Sequence, residues 1–245
     1  MTPGQVKDVI REHFGRLGFP TAIMDLAIEE GRKLIEKEAN FWWMEAEAEF
    51  NLVIDDADYV IAPSGGSITI PNFKDAQALQ WKRSTDVRWE GVSLGDETKD
   101  TLDIMYDTDD EGFPEAAVIK DMTLFVYPPK PNAAYNMKLY YYGYTPQPAS
   151  NVVTTDELCR NWALALIYAA LVWGYEIYLK DMQGATYWRQ LLMGNPTSKV
   201  VGEITKLKRE NLKRGWKSQI VLVPHVSPRG GIRQRIDNLK LYVRR

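Results

Sequence analysis

Apolar residues near the N-terminus recur every three to four positions, which is the period of an amphipathic helix. The pattern predicts one helix that begins at Thr2–Pro3 and stops near Gly15 and Gly18, and a second that begins at Pro20–Thr21 and ends near Asn40. The apolar stripes are Val6, Val9, Ile10 and Phe14 in the first helix and Ile23, Leu26, Ala27, Leu34 and Ile35 in the second. The charged residues of the second helix are expected on its outer face: Glu29, Glu30, Arg32, Lys33 and Glu36.

Between Glu47 and Thr145 apolar and polar residues alternate, which is typical of β-strands. The pattern predicts six to eight short antiparallel strands in a small sandwich or barrel. The glycine-rich run Ser64–Ser67 is predicted to be a hairpin turn rather than a phosphate-binding loop, because Pro63 precedes it and a strand follows it. The candidate segments from which these six to eight strands are drawn are Phe50–Ile54, Tyr59–Ala62, Ser67–Pro71, Leu79–Lys82, Val87–Trp89, Leu102–Tyr106, Ala117–Ile119, Thr123–Tyr127 and Met137–Tyr144.

After a proline-containing linker at Thr145–Asn151, the helical period returns. One continuous helix is predicted from Thr155 to about Leu179, and its apolar residues surround it on nearly all sides, so it is expected at the centre of the helical part. The helical pattern continues over Asp181–Met193 and breaks at Gly194–Pro196. A last helix is predicted over Thr197–Lys213, ending at Gly215, with these residues inside: Val200, Val201, Ile204 and Leu207.

These elements predict an α+β fold with three parts. Residues 1–46 and 151–215 form a helical bundle, residues 47–150 form an inserted antiparallel β domain, and residues 216–245 form an extended basic C-terminal arm. The β region is expected to be an insertion because helices distant in sequence have to pack together to bury the 155–179 helix. The longest uncharged run, Asn161–Tyr175, has about 15 residues against the roughly 18–20 of a membrane span, so no membrane association is expected.

The net charge of −3 hides a strong asymmetry along the chain. Lys206–Arg245 contains twelve basic residues and two acids, whereas the other 205 residues carry a net charge of −13. Part of that negative charge lies in Asp96–Glu115, which has nine acids and one lysine. A basic tail on an acidic body indicates an interaction role.

No catalytic, cofactor-binding or metal-binding residues are predicted. The chain lacks a Walker A loop, GxGxxG, HExxH and GxSxG, and its two histidines, His13 and His225, are expected at surfaces or interfaces. Cys159 is expected to be a small buried hydrophobe, and the acids from Asp103 to Glu111 a solvated loop, because the spacing of an EF-hand is not met. Core or subunit contacts are expected for the tryptophans at positions 42, 43, 81 and 89.

The arm of residues 216–245 is too apolar for a free linker and cannot build a core of its own. We therefore expect it to bind another chain, for example by adding a strand to an exposed sheet edge. Its arginines would then pair with acidic neighbours or phosphates. The candidate partner-binding residues are Trp216, Ile220, Leu222, Val226, Arg229, Ile232, Arg233, Arg235, Leu239, Leu241, Tyr242, Arg244 and Arg245.

The layout of the chain has a second helix that runs into Asn40–Trp43 and a β region that contains Ser67–Pro71. The later helical stretch follows a diffuse pattern of alanine and tyrosine residues over Asp156–Leu158, Ala163–Ala165, Tyr168–Ala170, Tyr178–Asp181 and Ala185–Trp188. In this layout the chain resembles the head-to-tail adaptor (connector) proteins of short-tailed bacteriophages. The resemblance implies a non-enzymatic structural virion protein, assembled in the host cytoplasm and located at the head-to-tail interface. It also implies a ring of twelve copies between the portal protein and the tail nozzle protein, with the arm on the portal or on a neighbouring subunit and viral DNA passing through without specific binding.

Ring assembly agrees with the charge asymmetry, since head-to-tail contacts need two different complementary patches on each subunit. An acidic lumen, to which Asp96–Glu115 is one hypothetical contributor, would repel DNA and let it slide. Two other function classes remain open from the residues alone. One is a nucleic-acid-binding module that acts through the basic arm, and the other is an enzyme, for example a carbohydrate-active one that uses acids and tryptophans.

Overall fold

The computed structural model describes residues 1–15, 20–54, 56, 58–146, 156–195, 197 and 199–218. Its N-terminal part forms two helices, α1 (Pro3–Gly15) and α2 (Thr21–Lys37), where the apolar stripes predict them. Thr2 caps α1 in a reciprocal arrangement: its Oγ1 accepts the N–H of Gln5 at 3.2 Å, and Gln5 Oε1 accepts the N–H of Thr2 at 2.9 Å. A single 3₁₀ turn, Trp42–Met44, then leads into the sheet.

Ten strands and one short helix make up the central part. They are β1 (Glu45–Leu52), β2 (Asp58–Ala62), β3 (Ile68–Thr69), β4 (Phe73–Arg83), β5 (Glu90–Leu94), α3 (Lys99–Met105), β6 (Glu111–Gly112), β7 (Ala116–Lys120), β8 (Thr123–Tyr127), β9 (Lys130–Pro131) and β10 (Tyr135–Gly143). Eight strands form one sheet in the order β1-β10-β4-β5-β7-β8-β2-β3, and β6 pairs with β9 separately. The end strands β1 and β3 contact each other, so the sheet curls towards a barrel.

Three local expectations for this region are wrong. Ser64–Ser67 does not close a hairpin, because β2 and β3 run parallel, with Ile61 opposite Ile68. Val87–Trp89 lies in the turn after the long strand β4, where Val87 is 93% exposed. Leu102–Tyr106 is mostly helical, because Thr98 caps α3 by accepting the N–H of Thr101 at 3.3 Å.

The C-terminal half forms four helices in the described residues: α4 (Glu157–Asn161), α5 (Ala163–Trp173), α6 (Met182–Met193) and α7 (Glu203–Ser218). The expected single helix from Thr155 to Leu179 is interrupted at Trp162 (φ −129°, ψ 32°), and a π-helical turn, Gly174–Tyr178, follows α5. Helix α5 is buried on nearly all sides, as predicted.

The last helix begins later than predicted. A two-residue antiparallel ladder, β11 (Gly194–Asn195) and β12 (Val200–Val201), occupies its expected first turn. Val200 and Val201 are therefore exposed rather than inside, whereas Ile204 and Leu207 are buried as expected. The helix also passes through Gly215, its predicted end, and continues to Ser218.

The buried side chains form two separate clusters. One lies among the helices, where α2 and α5 pack most extensively, and the other lies on the inner face of the eight-stranded sheet. Helices α2 and α5 meet at Gly31, where an added Cβ would lie 2.6 Å from the backbone nitrogen of Ala170. Seven helices and a large, mostly antiparallel sheet confirm the α+β class for the described part of the chain.

Candidate assembly surfaces

A buried ionic network joins the helices to the sheet. Arg32 of α2 is 2% exposed and binds Asp156 with two parallel hydrogen bonds, from Nη1 to Oδ1 at 2.9 Å and from Nη2 to Oδ2 at 2.8 Å. Nη1 also donates to Thr145 Oγ1 at 3.0 Å, just after β10. The placement of Arg32 on the outer face of its helix is therefore wrong.

Glu36, one helical turn from Arg32, is also buried rather than on the outer face. Its carboxylate accepts hydrogen bonds from the Thr145 N–H at 3.0 Å, from the Thr145 hydroxyl and from Trp43 Nε1 at 3.2 Å. Burial raises the pKa of Glu36 more than these bonds and the charge of Arg32 lower it. Burial also acts to raise the pKa of Asp156, but the hydrogen bonds and charge of Arg32 outweigh it and lower that pKa.

Lys74 of β4 completes the same junction. Its ammonium donates to the Ala39 carbonyl at 2.7 Å and to the Glu36 carbonyl, so it binds the last turn of α2. Burial lowers the pKa of Lys74. The sequence contains one indication that Arg32 is buried: it lies four residues after Ile28 and three before Ile35, on the apolar side of α2. A charged residue at such a position is nevertheless usually predicted to be exposed.

Helix α7 carries part of the basic tail, and most of its charges are paired within the chain. Lys208 binds Glu38 at 2.8 Å, and Arg214 lies 3.7 Å from Glu157 and 4.1 Å from the centre of the Trp42 ring. These contacts place the C-terminal end of the helix beside Trp42 and α4. The basic charge between residues 206 and 214 therefore belongs largely to the folded body rather than to an arm.

The candidate partner-binding residues stay predictions. Trp216 lies within α7, so the segment after the helical part begins no earlier than residue 219. All the other candidates lie outside the described residues: Ile220, Leu222, Val226, Arg229, Ile232, Arg233, Arg235, Leu239, Leu241, Tyr242, Arg244 and Arg245. His225 lies outside them too.

The acidic stretch forms an exposed face on the sheet part. All nine acids between Asp96 and Glu115 are exposed, and α3 lies in the crossover between the parallel strands β5 and β7. Leu102 anchors the helix with 2% exposure, whereas Ile104 is 86% and Met105 61% exposed. The sequence does not indicate that these two residues are exposed, because it predicts a strand over Leu102–Tyr106 where the structure has the end of a helix.

His13, Cys159 and Trp43 pack against other side chains of the protein. His13 Nε2 lies 3.0 Å from the Tyr175 hydroxyl, and its ring meets Trp188 edge-on at 5.3 Å. Cys159 is buried, as predicted, and burial together with the neighbouring Asp156 raises the pKa of its thiol to about 12. Of the tryptophans, Trp43 stacks on Phe41 at 4.5 Å. Within the described ranges, no three His, Cys, Asp or Glu side chains converge as a metal site would require, and no helix is long and apolar enough to cross a bilayer.

Comparison with known protein families shows the family of this chain. Residues 1–212 match the model of the SU10 adaptor protein family. The chain belongs to this family. The match confirms the resemblance to phage adaptor proteins and covers the helices and the sheet. It stops within α7, so the following residues lie outside it. No curated protein matches the chain.

Proposed function

We propose that the chain is a structural, non-enzymatic virion protein that joins the head of a phage to its tail. The match to the SU10 adaptor protein family over residues 1–212 carries this proposal. In it, twelve copies form a ring between the portal protein and the tail nozzle protein, at the head-to-tail interface of a virion assembled in the host cytoplasm. The segment after α7 binds the portal or a neighbouring subunit, and DNA passes through the ring without specific binding.

The construction of the body supports a passive joining role. Its acids outnumber its bases, so it repels DNA. The basic residues of α7 that a nucleic-acid-binding module would use are largely held by intrachain acids: Lys206 by Glu203, Lys208 by Glu38 and Arg214 by Glu157. This pairing disfavours nucleic-acid binding through α7, whereas the arm on which the alternative relies follows that helix.

The test is direct imaging of the purified chain mixed with the portal protein of the same phage. A second ring stacked on the portal ring is the expected result, and its rotational symmetry gives the copy number. A variant that ends at Ser218 is expected to lose the stacked ring. Binding to DNA, with affinity that falls steeply as salt rises, together with no complex on the portal, would support the nucleic-acid alternative and overturn the proposal.

A further inference from the structure

The exposed surface around α3 combines a high density of acidic side chains with two large exposed apolar side chains. We call it the acidic face and define it by the nine acids of Asp96–Glu115 with Ile104 and Met105. Only three lysines pair with these acids among the described residues: Lys99 with Asp103 at 2.7 Å, Lys120 with Asp100 at 3.8 Å, and Lys130 with Asp109. The face therefore has a local excess of six negative charges.

The apolar residues of the face lie within this negative charge. Ile104 and Met105 end α3, next to the loop that begins at Asp107, and both project from a helix held in place by buried Leu102. A surface that served only to repel DNA would need acids and no exposed isoleucine. An apolar centre with a charged surround is instead the usual anatomy of a protein-binding surface.

The sequence of this chain contains a segment with the complementary composition. Residues 229–245 hold six basic side chains and one acid, Asp237. The segment also contains six apolar residues: Ile232, Ile236, Leu239, Leu241, Tyr242 and Val243. Their net charge of +5 nearly matches the excess on the acidic face.

We propose that the acidic face of one copy binds residues 229–245 of the neighbouring copy in the ring. The inference rests on the proposed ring, in which each copy presents one patch and carries its complement elsewhere. The acidic face and residues 229–245 belong to different parts of the chain. Helix α7, which precedes residues 229–245, ends beside Trp42 and α4 in the helical part, whereas α3 lies on the sheet. The basic side chains pair with the acids while the apolar ones cover Ile104 and Met105.

Crosslinking in the portal-bound ring tests the contact. One full-length copy carries Ile104→Cys and a second, enlarged by a tag, carries Leu239→Cys; a short bifunctional maleimide then joins cysteines in contact. The native Cys159 gives no background, since it is buried with a raised pKa. We expect a product that contains one tagged and one untagged chain. Val9→Cys, on an exposed position of α1, replaces Ile104→Cys as the matched control and should give no such product.

Two results would overturn the inference. They are equal crosslinking through Val9→Cys and a portal-bound ring that forms with no 104–239 crosslink. In the last case the adaptor function stands and only the contact fails. A chain that forms no ring on the portal removes the proposed function, and this inference with it.

Charge exchange provides a second, independent measurement. Glu97→Lys with Glu111→Lys reverses two exposed acids of the face, and it should lower the 104–239 crosslink about tenfold. The matched control, Asp8→Lys with Glu29→Lys on α1 and α2, should leave the yield unchanged. Adding Arg233→Glu and Arg235→Glu to the neighbouring copy should restore the crosslink. Failure of this rescue in rings that still assemble contradicts the charge pairing.

Discussion

Replacing Arg32 by methionine tests whether the buried network holds the helices and the sheet together. Methionine fills most of the space of the arginine stem but removes the guanidinium. Asp156 then loses two hydrogen bonds, of 2.9 and 2.8 Å, and Thr145 loses one of 3.0 Å. Asp156, whose side chain is only 11% exposed, is left without its cation, and the buried Glu36 loses the charge of Arg32.

The expected loss follows from that desolvated charge. Removing one partner of a buried ion pair costs about 3–5 kcal/mol, because the remaining ion keeps its desolvation penalty. We therefore expect Arg32→Met to lower the free energy of unfolding by this amount at neutral pH. A second substitution, Asp156→Asn, should recover part of the loss, since asparagine is neutral and its side-chain oxygen can still accept the N–H of Cys159.

Equilibrium unfolding in urea, followed by tryptophan fluorescence, measures these differences. Arg11→Met is the control, because Arg11 pairs with Asp8 at 3.2 Å on the surface, and such pairs contribute little. The reasoning is refuted if Arg32→Met is no less stable than Arg11→Met, or if the Arg32→Met/Asp156→Asn double variant is less stable than Arg32→Met alone.

The remaining predictions use the same assay or a simple labelling reaction. Folding lowers the pKa of Asp156. Its contribution to stability is therefore present above its unfolded pKa and is lost as pH falls through its folded pKa. Folding raises the pKa of Glu36, so protonation of Glu36 at low pH favours the folded state instead. Unfolding at pH 6 and at about pH 3.5 should therefore show a smaller acid loss in Asp156→Asn than in the native chain, and an equal loss would contradict the assignment. Gly31→Ala should destabilise despite a gain of about 1 kcal/mol in helix propensity, because its Cβ meets the backbone of α5, whereas Gly91→Ala, which meets nothing within 4 Å, should be tolerated. Cys159 should react with a thiol reagent only at the rate of unfolding, and rapid labelling of the native chain would show that its site opens locally.

The sequence predicted elements whose signals are local. The Thr2 cap, the position of α2 and the all-round burial of α5 depend on neighbouring residues, and the structure has all three, although Leu26 of the predicted α2 stripe is exposed. The pairing of β1 with β10 joins residues about 90 positions apart, such as Glu45 and Tyr142, and no local pattern specifies it.

The errors have a common physical origin. Periodicity shows which positions are apolar but not what surrounds a charged one. The burial of Arg32 depends on Asp156 and that of Glu36 on Thr145, both more than a hundred residues away. The same limit applies to the candidate surfaces. Net charge showed that the stretch 96–115 is acidic, but only the fold shows that Ile104 is exposed among those acids.

The chain crosses between its helical and sheet parts only twice in the described residues, after α2 and after β10. Both crossings lie at the network of Glu36 and Thr145, so the polypeptide leaves the helices and returns to them at one point. Both covalent links between the two parts, and the buried ion pair of Arg32 and Asp156, are therefore concentrated at this junction.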